Sequence, residues 1–144
     1  MHVSDVLKDK GARVMTVRPN DTLKVLVERL RAENVGAFVV SEDGRHLSGI
    51  VSERDVVQCV AAHGRHAPDV KVSDIMSKRV ITCTTADSLT VIARTMTDKR
   101  IRHIPVVDNG VLTGLISIGD VVKLRLAEME MEANVLRDIA VASH

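Results

Sequence analysis

Two Ser-x-x-Asp segments, Ser52 to Asp55 and Ser117 to Asp120, hold the residues whose types and spacing could do chemistry. Each stands just before an apolar helical pattern. There a serine followed three residues later by an acid forms a capping box, in which the hydroxyl accepts a backbone N–H and the acid reaches back. The same placement suits a ligand. A helix start offers unpaired N–H groups and the positive end of a dipole to phosphate, and a carboxylate there can accept hydrogen bonds from two ribose hydroxyls. On spacing alone, capping and ligand binding both stay open.

Arg102-His103 stands before Ile104-Pro105-Val106-Val107, an apolar strand pattern that would carry two cationic or polar side chains towards a cleft. The alternative is one outward arginine and one partly buried histidine. Pro105 has no N–H for a sheet ladder and so marks an edge strand or an irregular, approachable backbone. The matching positions earlier in the chain are Gly36-Ala37, which remove charge and leave room. Arg54, inside the first Ser-x-x-Asp segment, has Gly119 as its counterpart. A phosphate near the first segment would therefore lean on Arg54, Arg13 or Arg18, and one near the second on Arg102 and His103. On that basis the two sites should not be equivalent.

Machinery for catalysis is not visible. The sequence holds no nucleophile elbow, no Walker or dinucleotide glycine loop and no HExxH. His63-x-x-His66 straddles Gly64 in a turn, where ligand geometry is not enforced, and reads as a surface loop. Cys59 and Cys83 read as buried small residues. Met15, Met76, Met96, Met129 and Met131 read as core or interface filler in a chain with almost no aromatics.

The elements that position these residues come in two copies. Val3 to Leu7 returns as Val72 to Met76, Asp21 to Leu26 as Asp87 to Ile92, Val35 to Val40 as Ile101 to Val106, and Leu47 to Val57 as Leu112 to Val122. The offset slides from 69 to 66 to 65, so small length changes sit in loops while the elements keep register. Each copy reads as strand, helix, strand, strand, helix. Asp21 or Thr22 caps a helix with Leu23, Leu26, Val27 and Leu30 on one face, matched by Leu89, Ile92, Ala93 and Met96. Strands follow over Ala37 to Val40 and Ile104 to Val107, then His46 to Val51 and Val111 to Ile116. Asp43-Gly44 and Asp108-Asn109-Gly110 are the turns between them.

The expected fold is α/β: two such repeats packed about a pseudo-twofold axis with a cleft between them, plus a long C-terminal helix. The boundaries read as repeat one over 1–63, linker over 64–71, repeat two over 72–126 and a helical tail over 127–144. In the tail, Val122, Leu126, Met129, Ala133, Leu136 and Ala140 step by four, three, four, three and four, an apolar seam that wants a partner helix.

Composition excludes several function classes. With 20 Lys+Arg against 19 Asp+Glu, the net charge of +1 gives no basic excess for duplex nucleic acid or an anionic membrane. Phe38 is the sole aromatic among Phe, Trp and Tyr, so base stacking has no platform. No apolar run approaches the ~18 residues of a membrane span. The opening residues carry charge rather than an apolar leader, and the two cysteines form no framework, so a reducing cytoplasmic setting is expected.

The duplicated Gly49-Ile50-Val51-Ser52-Glu53-Arg54-Asp55 and Gly114-Leu115-Ile116-Ser117-Ile118-Gly119-Asp120 segments, with Arg102 to Val107, resemble a tandem pair of cystathionine β-synthase (CBS) domains, a Bateman module. The resemblance spans about residues 3 to 126, and the long tail is similar to that of small bacterial stand-alone members. It implies a binding module rather than an enzyme, with an adenosine ligand between the copies: AMP first, then ATP, ADP, NAD(H) or S-adenosylmethionine. It further implies ribose contacts at Asp55 and Asp120, phosphate near Ser52 and Ser117, and base or phosphate contacts at Val14, Thr16, Val80 and Thr82. Gly36, Ala37 and Phe38 in one copy, and Arg102, His103, Ile104 and Pro105 in the other, complete the implied site, with Arg54 as the local departure. A homodimer and a protein effector acting in trans are the partners it implies. The alternative is a non-catalytic dimerisation or interaction protein with vestigial pockets.

Overall fold

A computed structural model describes residues 1–11 and 13–143. Along the chain the elements are α1 (Val3–Lys10), β1 (Thr16–Val17), α2 (Leu23–Glu33), β2 (Ala37–Val40), β3 (Gly49–Ser52), α3 (Glu53–His63), α4 (Val72–Ile75), α5 (Leu89–Lys99), β4 (His103–Asp108), β5 (Val111–Ser117) and α6 (Ile118–Ala142). A short 3-10 helix over Gly64–Asp69 lies between α3 and α4. The tail residue 144 lies outside the described residues.

Hydroxyl caps start the paired helices. Thr22 Oγ1 accepts the Val25 N–H at 3.4 Å and Ser88 Oγ accepts the Val91 N–H at 3.2 Å. Asp21 and Asp87 instead take the N–H groups of Arg18 and Thr84 at 2.8 Å, tightening the preceding turns. Of the apolar faces read from the sequence, Leu23, Leu26 and Leu30 on α2 and Leu89, Ile92 and Met96 on α5 are buried, Ala93 is partly buried, and Val27 is exposed at 41%. Both helices stop on a left-handed residue, Asn34 at φ 53° and Arg100 at φ 54°.

The two sheets differ. In copy one, β1, β2 and β3 form a three-stranded sheet, with β1–β2 parallel and β2–β3 antiparallel. In copy two, β4 and β5 form a two-stranded antiparallel sheet, and the expected first strand over Val80 to Thr82 shrinks to a bridge between Cys83 and Val106. Pro105 explains the loss. It stands where copy one has Val39, the partner of Thr16, and has no N–H to carry the ladder towards Thr82. The reading of Pro105 as an edge-strand residue therefore holds, and a register shift follows it between Val106 and Val107. Its backbone is not approachable, because Pro105 is less than 2% exposed.

The strand expected from His46 starts only at Gly49. Asp43 is the cause: its carboxylate accepts the N–H groups of Arg45 and His46, both at 2.8 Å, and meets the His46 ring at 2.6 Å. These bonds hold the Asp43 carboxyl below its ordinary range and wind residues 43–46 into a turn.

The opening helix of each copy is exchanged. Val3, Val6 and Leu7 of α1 lie in the core of copy two with Leu89, Ile104 and Ile116, while Val72 of α4 lies in the core of copy one with Leu26, Phe38 and Val51. Matching backbone bonds fix both exchanges. Val3 N–H donates to Asp87 O at 2.9 Å, and Val72 N–H to Asp21 O at 2.8 Å. Val3 and Val72 are fully buried, each worth about 1.5–3 kcal/mol by apolar transfer. The stretch between the repeats packs as well: Ala67 on the 3-10 helix is 1% exposed within the copy-one core. At the other end, α6 runs unbroken past residue 126, so the second repeat and the tail share one helix.

This exchange accounts for the two signature glycines. A Cβ at Gly49 would stand 2.7 Å from Ser77 O and 2.8 Å from Met76 Sδ, and one at Gly114 would stand 2.6 Å from Leu7 Cδ2. Each glycine is the floor on which the other copy's opening segment rests.

Candidate functional site

Both Ser-x-x-Asp segments are capping boxes. Ser52 N–H donates to Asp55 Oδ2 at 2.8 Å, and Ser117 N–H donates to Asp120 Oδ2 at 2.9 Å. Capping occupies one oxygen only. The Oδ1 of each carboxylate has no hydrogen-bond partner among the described residues, so the cap leaves an acceptor at each helix start. The next donor along is engaged too: Glu53 N–H reaches Gly36 O at 3.1 Å, and Ile118 N–H reaches Arg102 O at 2.8 Å. These bonds pin the start of α3 to the segment before β2 and the start of α6 to the segment before β4.

Two clefts lie between the copies. The first, about 450 Å3, is lined by Arg13, Val14, Met15 and Gly36 to Phe38 from copy one, with His103, Leu115 and Ser117 from copy two. The second, about 400 Å3, is lined by Ser52 to Asp55 and Gly36-Ala37 from copy one, with Ser77 and Arg100 to His103 from copy two. Both volumes are in the range of small-molecule sites, ~300–1,000 Å3. Gly36, Ala37 and His103 belong to both clefts. A Cβ at Gly36 would lie 3.9 Å from His103 Cε1 and 4.0 Å from Glu53 Cδ, so the missing side chain keeps this junction open.

Lys10 fills the polar end of the first cleft. Its ammonium donates to Asp120 Oδ2 and to Leu115 O, both at 2.7 Å. Burial by itself would raise the Asp120 carboxyl, but the Lys10 ammonium and the Ser117 N–H outweigh it and hold the group below its ordinary value. The second cleft has no such internal ion pair. Arg54, Arg100 and Arg102 line it beside Asp55 and Glu53. His103, between the clefts, is held below the ordinary histidine range by burial first, then by Lys10 and Arg102, with Asp120 and Glu53 opposing.

The sequence reading changes here in one important respect. Arg102 does not serve the Asp120 cleft of its own copy; it lines the Asp55 cleft together with Arg54, because β4 enters the junction beside α3. Arg13 lines the first cleft, and Arg18 is exposed and lines neither. Val14, Gly36, Ala37, Phe38, Ser52, Arg54, Asp55, Arg102, His103 and Ser117 line one cleft or both. Thr16, Val80 and Thr82 line neither, and Asp120 meets the first cleft only through Lys10 and Ser117, which line it. Ile104 and Pro105 are buried, at 0% and under 2% exposed, and Ile104 packs in the core with residues of α1 and α5. Phe38, at 1% exposed, is chiefly core, with the Arg29 guanidinium 4.8 Å above its ring.

Lys10, Glu53 and Arg100 were not singled out from the sequence. Lys10 meets a carboxylate 110 residues away, which no local pattern announces. Arg100 did carry a signal: it follows a helix where asparagine or glycine usually sits, and a left-handed arginine costs about 1–2 kcal/mol. The thiols of Cys59 and Cys83 are buried, and burial, helped by Asp87 and Asp108, pushes Cys83 up to about 12. His63 and His66 are exposed, and no cluster of metal-ligating side chains occurs among the described residues. Nor is any helix among them long and apolar enough to cross a membrane.

Comparison with known proteins addresses the duplication directly. The family model for the CBS domain matches twice, over residues 3–62 and 72–127. The chain is 37% identical over 138 residues to the CBS domain-containing protein CBSX3, mitochondrial, of Arabidopsis thaliana, covering 90% of this chain and 67% of that protein. Its fold superposes with a TM-score of 0.83 on the CBS-domain containing protein ATU1752 from Agrobacterium tumefaciens, at 40% identity over 87% of this chain and 99% of the other. The CBS domain pair of protein MJ0100, solved in complex with 5′-methylthioadenosine and S-adenosyl-L-methionine, shares the fold at a TM-score of 0.78 and 21% identity, over 89% of this chain and 98% of that one. The family boundaries fall where the backbone repeats, and the two signature glycines lie one in each match, so the chain belongs to the CBS domain family as a tandem pair of its repeats.

Proposed function

We propose that this chain is an adenine-nucleotide-binding regulatory module that holds its ligand in the clefts between the copies and signals to a protein effector in trans. The observation that carries the proposal is the second cleft, where Asp55 keeps an unused carboxylate oxygen beside the guanidinium groups of Arg54, Arg100 and Arg102. A ribose needs an acceptor for two hydroxyls and a phosphate needs cations, and this cleft offers both within one small volume. AMP fits that pairing best, with ADP, ATP, NAD(H) and S-adenosylmethionine as further adenosine ligands. The adenosine compounds in the MJ0100 complex support the class of ligand. The first cleft, whose Lys10 is already paired with Asp120, suits ligands with less phosphate. Ligand occupancy would act by favouring one arrangement of the two copies over another. Two chains are expected to pair, and the module is a binder rather than a catalyst.

Thermal unfolding against AMP, ADP, ATP, NAD+, NADH and S-adenosylmethionine tests this reading. A ligand at a hundred times its dissociation constant adds ~2.7 kcal/mol, which raises the midpoint by roughly 5 to 10 °C for a chain of this size. The same ligand should shift Asp55→Ala by much less. A flat panel would overturn the proposal and favour a second reading, an interaction protein with vestigial pockets, for which the Lys10–Asp120 pair filling one cleft already speaks.

A further inference from the structure

We infer that the outer part of α6 pairs with the same helix of a second copy, parallel and in register, as a short two-stranded coiled coil. The inference rests on the self-association proposed above and adds which surface carries it and which way the chains run. From Arg125 to Ala142 every residue except Glu128 is exposed. This exposed stretch carries large bare apolar side chains, with Leu126 at 54%, Met129 at 59% and Leu136 at 67% exposed. They lie on the seam that starts at Val122, on the side of α6 away from Val121 and Leu124, which face the copy-two core. The seam runs well past residue 127, where the family match ends.

Charge selects the occupant and its direction. With Val122, Met129 and Leu136 in one core row and Leu126, Ala133 and Ala140 in the other, the flanking residues are Arg125 and Glu132 on one side and Glu130 and Arg137 on the other. In a parallel pair, a flanking residue of one chain faces the residue five further along its partner. Arg125 then meets Glu130 and Glu132 meets Arg137, and the twofold axis doubles both attractive pairs. Run antiparallel with the same layers matched, Lys123 meets Arg137, and Glu130 and Glu132 each meet their own copies. Like charge would then face like at each of these contacts, and Arg125 would meet only Ile139. A second apolar stripe, Met131, Val135 and Ile139, is flanked by Glu128, Glu132 and Asp138, so a copy of itself brought there would set acid against acid.

Cross-linking of the full chain tests both the partner and the direction. Leu136→Cys, oxidised in native buffer, should form a covalent dimer by itself, since Cys59 and Cys83 are buried. A mixture of Leu136→Cys and Leu126→Cys chains that links only across the two variants would overturn the parallel register. Sedimentation supplies the second readout. Arg125→Glu and Glu130→Arg should each weaken the dimer by about tenfold, and the double variant should restore it. A dimer indifferent to these changes and to Leu136→Cys oxidation would keep the proposed self-association and sink this surface. A wild-type monomer at all concentrations would sink both.

Discussion

Copy one and copy two perform the same fold with different margins, and the difference falls where each meets the other. Copy one has a complete three-stranded sheet but a loosened hairpin, since Asp43 winds its turn and delays β3. Copy two has a tight Asn109-Gly110 turn with both residues left-handed, so β5 starts at once at Val111, yet its first strand is a single bridge because Pro105 lacks an N–H. The clefts follow the same asymmetry. At the Asp55 cleft the second copy offers Arg100 and Arg102, where the equivalent positions on the first copy, Asn34 and Gly36, offer no charge to Asp120. Asp120 takes its cation from Lys10 instead. A duplicated fold thus yields two inequivalent clefts from a handful of substitutions at the junction.

Substitution of the two signature glycines should break the comparison most strongly. Gly49→Ala drives a Cβ into a backbone carbonyl, Ser77 O, which the Ile50–Ser77 pairing holds in place, whereas Gly114→Ala meets the movable end of Leu7. Overpacking of this kind costs typically ~1–3 kcal/mol. Denaturant unfolding should place Gly49→Ala at or above the top of that range and Gly114→Ala nearer the bottom; equal losses would remove the distinction between the floors.

The clefts should separate next. Asp55→Ala is expected to weaken AMP binding by about 10- to 100-fold, the worth of charge-assisted hydrogen bonds, while Asp120→Ala should weaken it less, measured by calorimetry. The reverse ranking would return the phosphate site to Asp120 and leave the three arginines without a ligand.

Smaller effects concern titration. Because Asp120 is held below its ordinary value in the fold, it contributes stability above about pH 4 that fades as pH falls through its folded value. Lys10→Ala should remove about 0.5–1 kcal/mol at neutral pH, and the gap between variant and wild type should narrow in acid. His103 behaves with the opposite charge. Its folded value lies below 6.5, so the fold favours the neutral ring, and that stability is lost as pH drops below 6.5 towards the folded value. His103→Gln should flatten the stability profile on the acid side of neutrality, by the smallest amount of the four; an unchanged slope would assign it to other groups.

Much of this was legible in the chain because it is local or periodic. The helix faces, the serine capping boxes, the hydroxyl caps at Thr22 and Ser88, the Asn109-Gly110 turn and the long terminal helix all follow from residues within a few positions of one another. Duplication then implied a pair with a cleft, whose walls include Ser52 to Asp55 from the first Ser-x-x-Asp segment but only Ser117 from the second. Other features read from the sequence were altered by their neighbours. Val80 and Thr82 have strand composition, but the residue that denies them a strand is Pro105, in another element. Residues 64–71 carry breakers and look like a linker, yet Ala67 packs into a core.

What the sequence determined by itself is the family, the order of elements and the residue types available at the junction, because spacing and side-chain chemistry decide these before any long-range contact forms. Only the tertiary structure decided which residues share a cleft. Exchange of α1 and α4 carries Lys10 across to Asp120 and sets β4 beside α3, so that Arg100 and Arg102 face Asp55 rather than the carboxylate of their own copy. Such pairings depend on how two copies pack, and packing answers to buried apolar area summed over the molecule, a quantity that no local stretch of sequence contains.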